Sequence, residues 1–387
     1  MPSGNLGKDA GGRPAYHGWG WHPNADPATM ESMSRSENMD SSEKVISLTQ
    51  AAGELPSGIT ARLATGVLAF CCLCWGFSFP TMQFASTSLA KAMHTITQAA
   101  LPTTLEFAVQ GLFNSWRFAL AAFVYWLLTW PRQRGYTAAD WQAGITIGLF
   151  CGGGMFLQLT GLRYTLPSVS AFLTALAVVL APLAQSLLFR KTVGMWTWLA
   201  VVIAVVGMLL MSQENPGAAA ESLRTLIPPV PHLGEALTLL SSVLFTGYIL
   251  AVGHFGQRVD AARMTAVMLT VVAIVNALGG LALGGRVAYT SAVLSTLVYD
   301  PVFIGSLVSL SLFSSVLAMH LMNRYQPFVS AATASVIYCL EPVFATLWSC
   351  GLRTEKLTSV TATGGAVILA ASLIAAIAAT KATKPPA

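Results

Sequence analysis

The chain has 387 residues, 54% of them apolar and only 10% Asp, Glu, Lys or Arg, against roughly 25% charge in an average soluble domain. So little charge cannot cover a water-soluble globule, which argues against a soluble enzyme, a nucleic-acid binder or a secreted disulfide module. A multi-span membrane protein remains. The net charge of +5 is unevenly placed: residues 1–62 hold five basic and seven acidic side chains, and the basic residues beyond them sit singly or in pairs between apolar runs. Short basic loops of that kind orient a membrane protein and do not build a phosphate-tracking groove, so no nucleic-acid partner is expected.

Residues 1–62 are rich in Gly, Ser, Asp and Glu and lack an apolar stripe. They are expected to form a disordered cytoplasmic tail, because such a chain buries too little surface to offset ordering. The tail has no apolar h-region, and its acidic content argues against a transit peptide. The segment His17-Gly-Trp-Gly-Trp-His22 reads as a solvated patch, with loose metal binding the weaker alternative. Cys71, Cys72, Cys74, Cys151, Cys339 and Cys350 lie in or beside apolar stretches and lack the paired spacing and histidines of a zinc site. They are expected to be buried thiols, and neither metal nor cofactor is expected.

From residue 63 onward come apolar runs near the ~20 residues that cross a hydrocarbon core. Ten spans are predicted, at 63–84, 111–130, 142–162, 168–188, 193–212, 234–254, 264–284, 302–322, 328–349 and 358–379. Helix is the required form, since lipid satisfies no free backbone group and no strand-like alternation is present. An even count puts both termini on one side. If that side is the cytoplasm, its loops hold nine basic residues, from Arg132 and Arg134 through Arg258, Arg263 and Arg324 to Lys384, against six in the opposite loops. The bias favours both ends inside a plasma membrane.

The chain also resembles itself at a shift of 160 residues. Pro167-Ser-Val-Ser170-Ala171 recurs as Pro327-Phe-Val-Ser330-Ala331, and Pro182 and Pro342 follow at equal spacing. Leu180 matches Leu340, and Arg163-Tyr164 parallels Arg324-Tyr325 with one residue of slippage. Residues 63–212 therefore read as one five-span repeat and 234–380 as a second, joined by a linker at 213–233. Five is odd, so the second copy must enter the membrane upside down. The expected fold is an all-α membrane protein of ten transmembrane helices in two inverted five-helix repeats, an architecture of secondary transporters.

The ordered motifs resemble the EamA family of the drug/metabolite transporter (DMT) superfamily. They are Trp75-Gly76-x-x-Phe79, Arg117-Phe118, Gly161-Leu-Arg163-Tyr164-Thr165, Pro182, Glu341-Pro342 and Gly364-Gly365. The resemblance implies a central cavity open alternately to each side and export or exchange of small metabolites such as amino acids, purine-like compounds or cationic drugs. The chain departs from the family pattern at Gln83, where many relatives carry lysine. A second departure is the long link at 85–110, with Lys91, His94 and Glu106, which is expected to cover the outer mouth.

Charge inside a bilayer is costly, so an embedded ion normally faces a cavity or a partner. Glu341 falls at mid-depth of span nine, and its repeat-mate is Ala181. Such asymmetry points to a site residue, with a structural hydrogen bond the alternative. Pro342 beside it leaves the backbone one donor short and frees a carbonyl one turn earlier. Tyr338 shares that face and either lines a path or packs among its apolar neighbours. Arg117, near one end of span two, either snorkels to the headgroups or holds an anionic group at the cavity mouth, where with Glu341 it would complement a zwitterion. Trp75, Gln83 and Gln158 complete the candidate substrate-binding set, packing being the alternative for Trp75 and a structural amide for Gln158. The glycines of span three, Gly148 to Gly161, suggest close helix packing. Ser306, Ser309, Ser311, Ser314 and Ser315 are expected to bond back to their own helix, and His320 to be interfacial. No G-x-S-x-G, H-E-x-x-H or Walker motif is present, so no enzyme is expected. The expected partners are a small-molecule substrate and membrane lipids, with proton coupling and self-association left open. A passive pore or lipid scramblase on the same bundle is the competing function.

Overall fold

The computed structural model describes residues 61–97, 103–161, 173–174, 176–190, 192–212, 233–283, 285–353 and 357–382. The N-terminal tail, most of the 213–233 linker and the Pro167-to-Ala171 copy of the repeated motif lie outside these residues. The described residues contain helices and no strand. In chain order the helices are α1 (Ala61–Thr97), α2 (Thr103–Leu128), α3 (Ala138–Gly161), α4 (Ala177–Phe189), α5 (Met195–Ser212), α6 (Leu233–Phe255), α7 (Ala261–Ala282) and α8 (Ser291–Val298). Then follow α9 (Pro301–Ser309), a π-helical stretch Leu310–Leu317, α10 (Ala318–Tyr325), α11 (Ala331–Tyr338), α12 (Leu340–Gly351) and α13 (Ser359–Ala382).

Seven stretches are long and apolar enough to cross a membrane, including the composite rods Pro301–Phe328 and Ala331–Gly351, and two shorter apolar helices lie at Ala177–Leu188 and Met195–Leu210. Large apolar side chains point outward along them, among them Leu187, Leu188, Leu240, Leu278 and Leu373, and along α2 at Phe123 and Leu127. The interior holds fully buried polar groups, including Thr238, Ser241, Asn276, Ser311, Ser314 and Ser315. Water would penalise that distribution on both counts; a hydrocarbon surround permits the first and demands internal partners for the second.

Local chemistry sets the helix ends. Thr137 and Asp140 form a capping box at the start of α3: the Thr137 N–H donates to Asp140 Oδ2 at 2.8 Å, and the Asp140 N–H to Thr137 Oγ1 at 3.2 Å. Asp260 caps α7 by accepting from the N–H groups of Ala262 and Arg263. Asp300, with Pro301 behind it, caps α9. Spans eight and nine, barely separable in the sequence, are divided by a 3-10 turn at Gln326–Phe328 and restarted by Ser330, whose hydroxyl accepts the Thr333 N–H at 3.0 Å.

Two features depart from the expected layout. Helix α1 does not stop near residue 84 but runs unbroken to Thr97, and α2 starts at Thr103, so the supposed link is mostly helical. The cause is an apolar face at helical spacing: Ala85, Leu89, Ala92 and Met93 bury against Val109, Leu112, Phe113, Val293, Leu297 and Phe303. Helix α8, which the sequence reading did not anticipate, supplies two of those contacts.

Packing runs mainly between the halves. Helix α5 packs on α13, α2 on α7 and α4 on α11; α1 packs on α12 as α6 packs on α4; α3 packs on α6 as α1 packs on the 301–325 rod; α3 packs on α7 as α2 packs on the π-helical stretch. Exchanging α1, α2, α3, α4 and α5 for α6, α7, the 301–325 rod, the α11–α12 rod and α13 in that order maps this set of pairs onto itself.

Candidate functional site

The site is built around the break in span nine. Pro342, third residue of α12, has no N–H for the Tyr338 carbonyl and its ring crowds that carbonyl; α11 ends at Tyr338 and α12 begins at Leu340, with Cys339 as the joint. Glu341 thus stands in the first turn of α12, where the N-terminal helix dipole favours a negative charge. Its surroundings are interior: it interacts electrostatically with Arg117, Cys72, Cys339 and Tyr338. Glu341 itself keeps partial exposure.

Helix α1 reaches this point through Gly76. A Cβ there would stand 2.7 Å from the Ala345 backbone nitrogen and 2.7 Å from Phe344 Cβ, so only glycine allows α1 so close to α12. Trp75 next to it sets its ring edge-on to Tyr338, centroids 5.5 Å apart, and donates its indole N–H to the Ser314 carbonyl at 3.1 Å. The Tyr338 hydroxyl donates to Gln326 Oε1 at 2.9 Å, and Gln326 Nε2 donates to the Ile249 carbonyl at 2.6 Å. Gln326 is fully buried and joins α6, the turn after α10, and α11. The sequence reading missed it, because Asn323 to Pro327 looked like a connecting loop. An amide between Tyr325 and Pro327 was the available signal.

Arg117 does not snorkel. It is 4% exposed, and its Nε–H donates to Ser315 Oγ at 2.9 Å. The Ser311 hydroxyl donates to the Arg117 carbonyl at 2.9 Å, and Ser314 donates to the Cys74 carbonyl at 2.6 Å. Ser78 in turn donates to Ser314 Oγ at 3.1 Å. These three serines therefore bridge to α1 and α2, contrary to the expected back-bonding, whereas Ser309 does bond back, to the Ser306 carbonyl at 3.2 Å. The π-helical turn, wider than an α turn, is what carries all three.

A guanidinium has five N–H donors. Among the described residues, only the Nε–H of Arg117 has a hydrogen-bond partner. Arg117 and Glu341 interact electrostatically, yet no ion pair within 4.0 Å joins them; among the described residues that distance is met only by Arg263 and Asp140, at 3.4 Å. A buried cation, its remaining donors unused among the described residues, thus lies within electrostatic reach of a carboxylate it does not touch, and Tyr338, with Trp75 against it, lies near the same carboxylate.

Not every candidate joins this group. Gln83 lies on the exposed face of α1, two turns beyond Trp75. Gln158 donates to Thr174 Oγ1 at 3.1 Å, linking α3 to the chain before α4. Asn276 donates back to the Val272 carbonyl at 2.9 Å. Gly148 packs α3 on α7, a Cβ there falling 2.7 Å from that of Val271. His320 Nδ1 and the Tyr125 hydroxyl are 2.6 Å apart, well along the helices from Arg117.

Comparison with known proteins bears on the family and the fold. The EamA-like transporter family matches residues 63–213 and again 232–377. A protein of Archaeoglobus fulgidus described as an uncharacterized transporter is 25% identical over 322 residues, covering 83% of this chain and 88% of its own length. A solved crystal structure shares the fold with a TM-score of 0.59 at 17% identity, covering 83% of this chain and 99% of its own.

Proposed function

The chain belongs to the EamA-like transporter family, and from that premise we propose that it is a secondary transporter that exports or exchanges amino acids or related polar metabolites by alternating access. The observation that carries the substrate class is the Arg117–Glu341 pair. Arg117 is 4% exposed with its terminal N–H donors unused among the described residues, and Glu341 faces it from the N-terminus of α12. A buried charge is costly unless paired. A zwitterion supplies a carboxylate to Arg117 and an ammonium to Glu341, and the aromatic rings of Trp75 and Tyr338 line its apolar part.

Alternating access is supported by the packing pairs that survive exchange of the halves. Two five-span units of opposite direction, related by an axis in the membrane plane, supply two states of similar energy. The gathering of Arg132, Arg134, Arg258, Arg263 and Arg324 at the chain turns of one end supports both termini lying in the cytoplasm. Glu341 is the group placed to exchange a proton against substrate.

The test is counterflow of labelled amino acids in proteoliposomes. Saturable counterflow that falls at least about ten-fold in both Arg117→Gln and Glu341→Gln, with insertion unchanged, is expected. Flux that stays linear with substrate concentration assigns the bundle to a passive pore or scramblase, and normal counterflow in both variants removes the charge-pair site. Uptake indifferent to a pH gradient removes the proton without removing the transporter.

A further inference from the structure

A groove apart from the Arg117–Glu341 site lies where the end of α2 meets the end of the π-helical stretch. Its volume is 440 Å³, within the ~300–1,000 Å³ of small-ligand sites, and its walls include Tyr125, Leu128, Arg132, Val316, Leu317 and His320. Three observations bear on what fills it. The walls open to the lipid side, for Leu128 is 68% and Leu317 37% exposed. The mouth lies at the level of Trp130, Pro131 and Arg132, a 3-10 turn with an exposed indole and guanidinium, the residue types that mark a membrane–water boundary. The floor is polar: Tyr125 and His320 are joined at 2.6 Å through the Nδ1 of the ring, which leaves Nε2 on the other side.

The charge around that floor is mainly positive. Arg132 and Arg324 both act electrostatically on His320, opposed by Asp260. An apolar slot open to acyl chains, closed at the interface by cations, matches an amphiphile with an anionic head. We propose that this groove binds the phosphate headgroup of an anionic phospholipid, with Arg132 on the phosphate, the imidazole of His320 beside it, and the first carbons of one chain along Leu128, Val316 and Leu317. The site shares no residue with the Arg117–Glu341 pair, so it stands or falls independently of the transport reading.

Native mass spectrometry of the delipidated full chain, with phosphatidylglycerol, phosphatidylcholine or inorganic phosphate added, tests this. Phosphatidylglycerol is retained in strong preference to phosphatidylcholine, and Arg132→Gln cuts its retention about five-fold, the value of one cation near a charged headgroup. That substitution leaves the fold intact, because it is the Arg132 carbonyl, not its side chain, that receives Arg263 Nε at 3.1 Å. Leu317→Trp, which fills the slot without altering charge, lowers retention as well, and Arg134→Gln, a neighbouring cation outside the groove, does not. Equal retention of the two lipids, equal losses in Arg132→Gln and Arg134→Gln, or complete displacement of the lipid by inorganic phosphate each overturns the proposal.

Discussion

Helix α3 and the rod from residue 301 to 325 hold equivalent places in the two halves, yet they grip their neighbours by different physics. Helix α3 meets α7 at Gly144 and Gly148, and α6 at Gly154 and Gly161, where an added Cβ would strike Val267, Val271, Phe245 and Thr238. At these glycines the contact is close packing, and the directional link between α3 and α7, Arg263 to Asp140 at 3.4 Å, lies at the helix starts. The 301–325 rod meets α1 and α2 through Ser311, Ser314 and Ser315, each hydrogen-bonded across the interface. Dispersion between small residues fixes distance but only weakly fixes register, whereas a set of buried hydrogen bonds fixes both. The rod that carries Arg117's partner is tied by bonds along its middle, whereas α3 is tied to α7 at its start.

The comparison breaks most severely at Gly148. Gly148→Leu drives a side chain into Val271 and is expected to cost about 3 kcal/mol or to block folding, seen as a fall in the detergent melting temperature together with loss of transport. Ser315→Ala is next. It strands the Nε–H of a buried cation, a loss of ~1.5–3 kcal/mol for a hydrogen bond to a charged group, and is expected to reduce substrate affinity more than turnover. Ser309→Ala, on the same rod but bonded only to its own helix, is the matched control and is expected to stay within ~0.5 kcal/mol of wild type. Equal effects from the two serines would show that the bridging bonds carry no special weight.

The smallest effect is expected at the cap of the rod. Asp300 accepts from the Ser88 hydroxyl and from the N–H groups of Phe303 and Val302, with Lys91 nearby, and these hold its carboxyl below the usual 3.8. A depressed carboxylate stabilises fully above that ordinary value and loses the contribution as pH falls through its folded one. The contact of the α1 extension with α9 is therefore insensitive to pH near neutrality and loosens only in strong acid. Hydrogen exchange over residues 85–97 is expected to rise only there. Asp300→Asn, a comparable cap, is expected to leave neutral stability almost unchanged and remove the acid step.

Much of this was legible in the sequence, and the parts that were not have identifiable reasons. The apolar runs located seven stretches long enough to cross a membrane and two shorter apolar helices among the described residues, because lipid imposes a single length scale, and Pro342 announced the break beside Glu341 because its missing donor acts locally. The extension of α1 was hidden by Lys91, His94 and several hydroxyls, which lower mean hydropathy even though Ala85, Leu89, Ala92 and Met93 keep helical spacing. The partners of Ser314 and Ser315 were not readable at all. A hydroxyl in a helix can serve its own carbonyl or a neighbour's, and here those on the π-helical stretch meet groups of α1 and α2 that lie far away in the chain. Gln326 went unnoticed for a related reason: a buried bridge between three elements looks, in one dimension, like a polar residue in a turn.

The joint at Cys339 leaves the two pieces of span nine with different companions. Helix α11 is fastened to α4 by Gln185, whose Oε1 accepts the Ala332 N–H at 3.0 Å, and to α6 through Tyr338 and Gln326. Helix α12 is fastened to α1, by the close approach at Gly76 and by Trp348, which donates to the Leu73 carbonyl at 3.1 Å. Rocking of α1 against α6 would flex the chain at one elbow, a single peptide link before Leu340 and two before Glu341. Cargo seated on that carboxylate would press on the very bend the motion has to work.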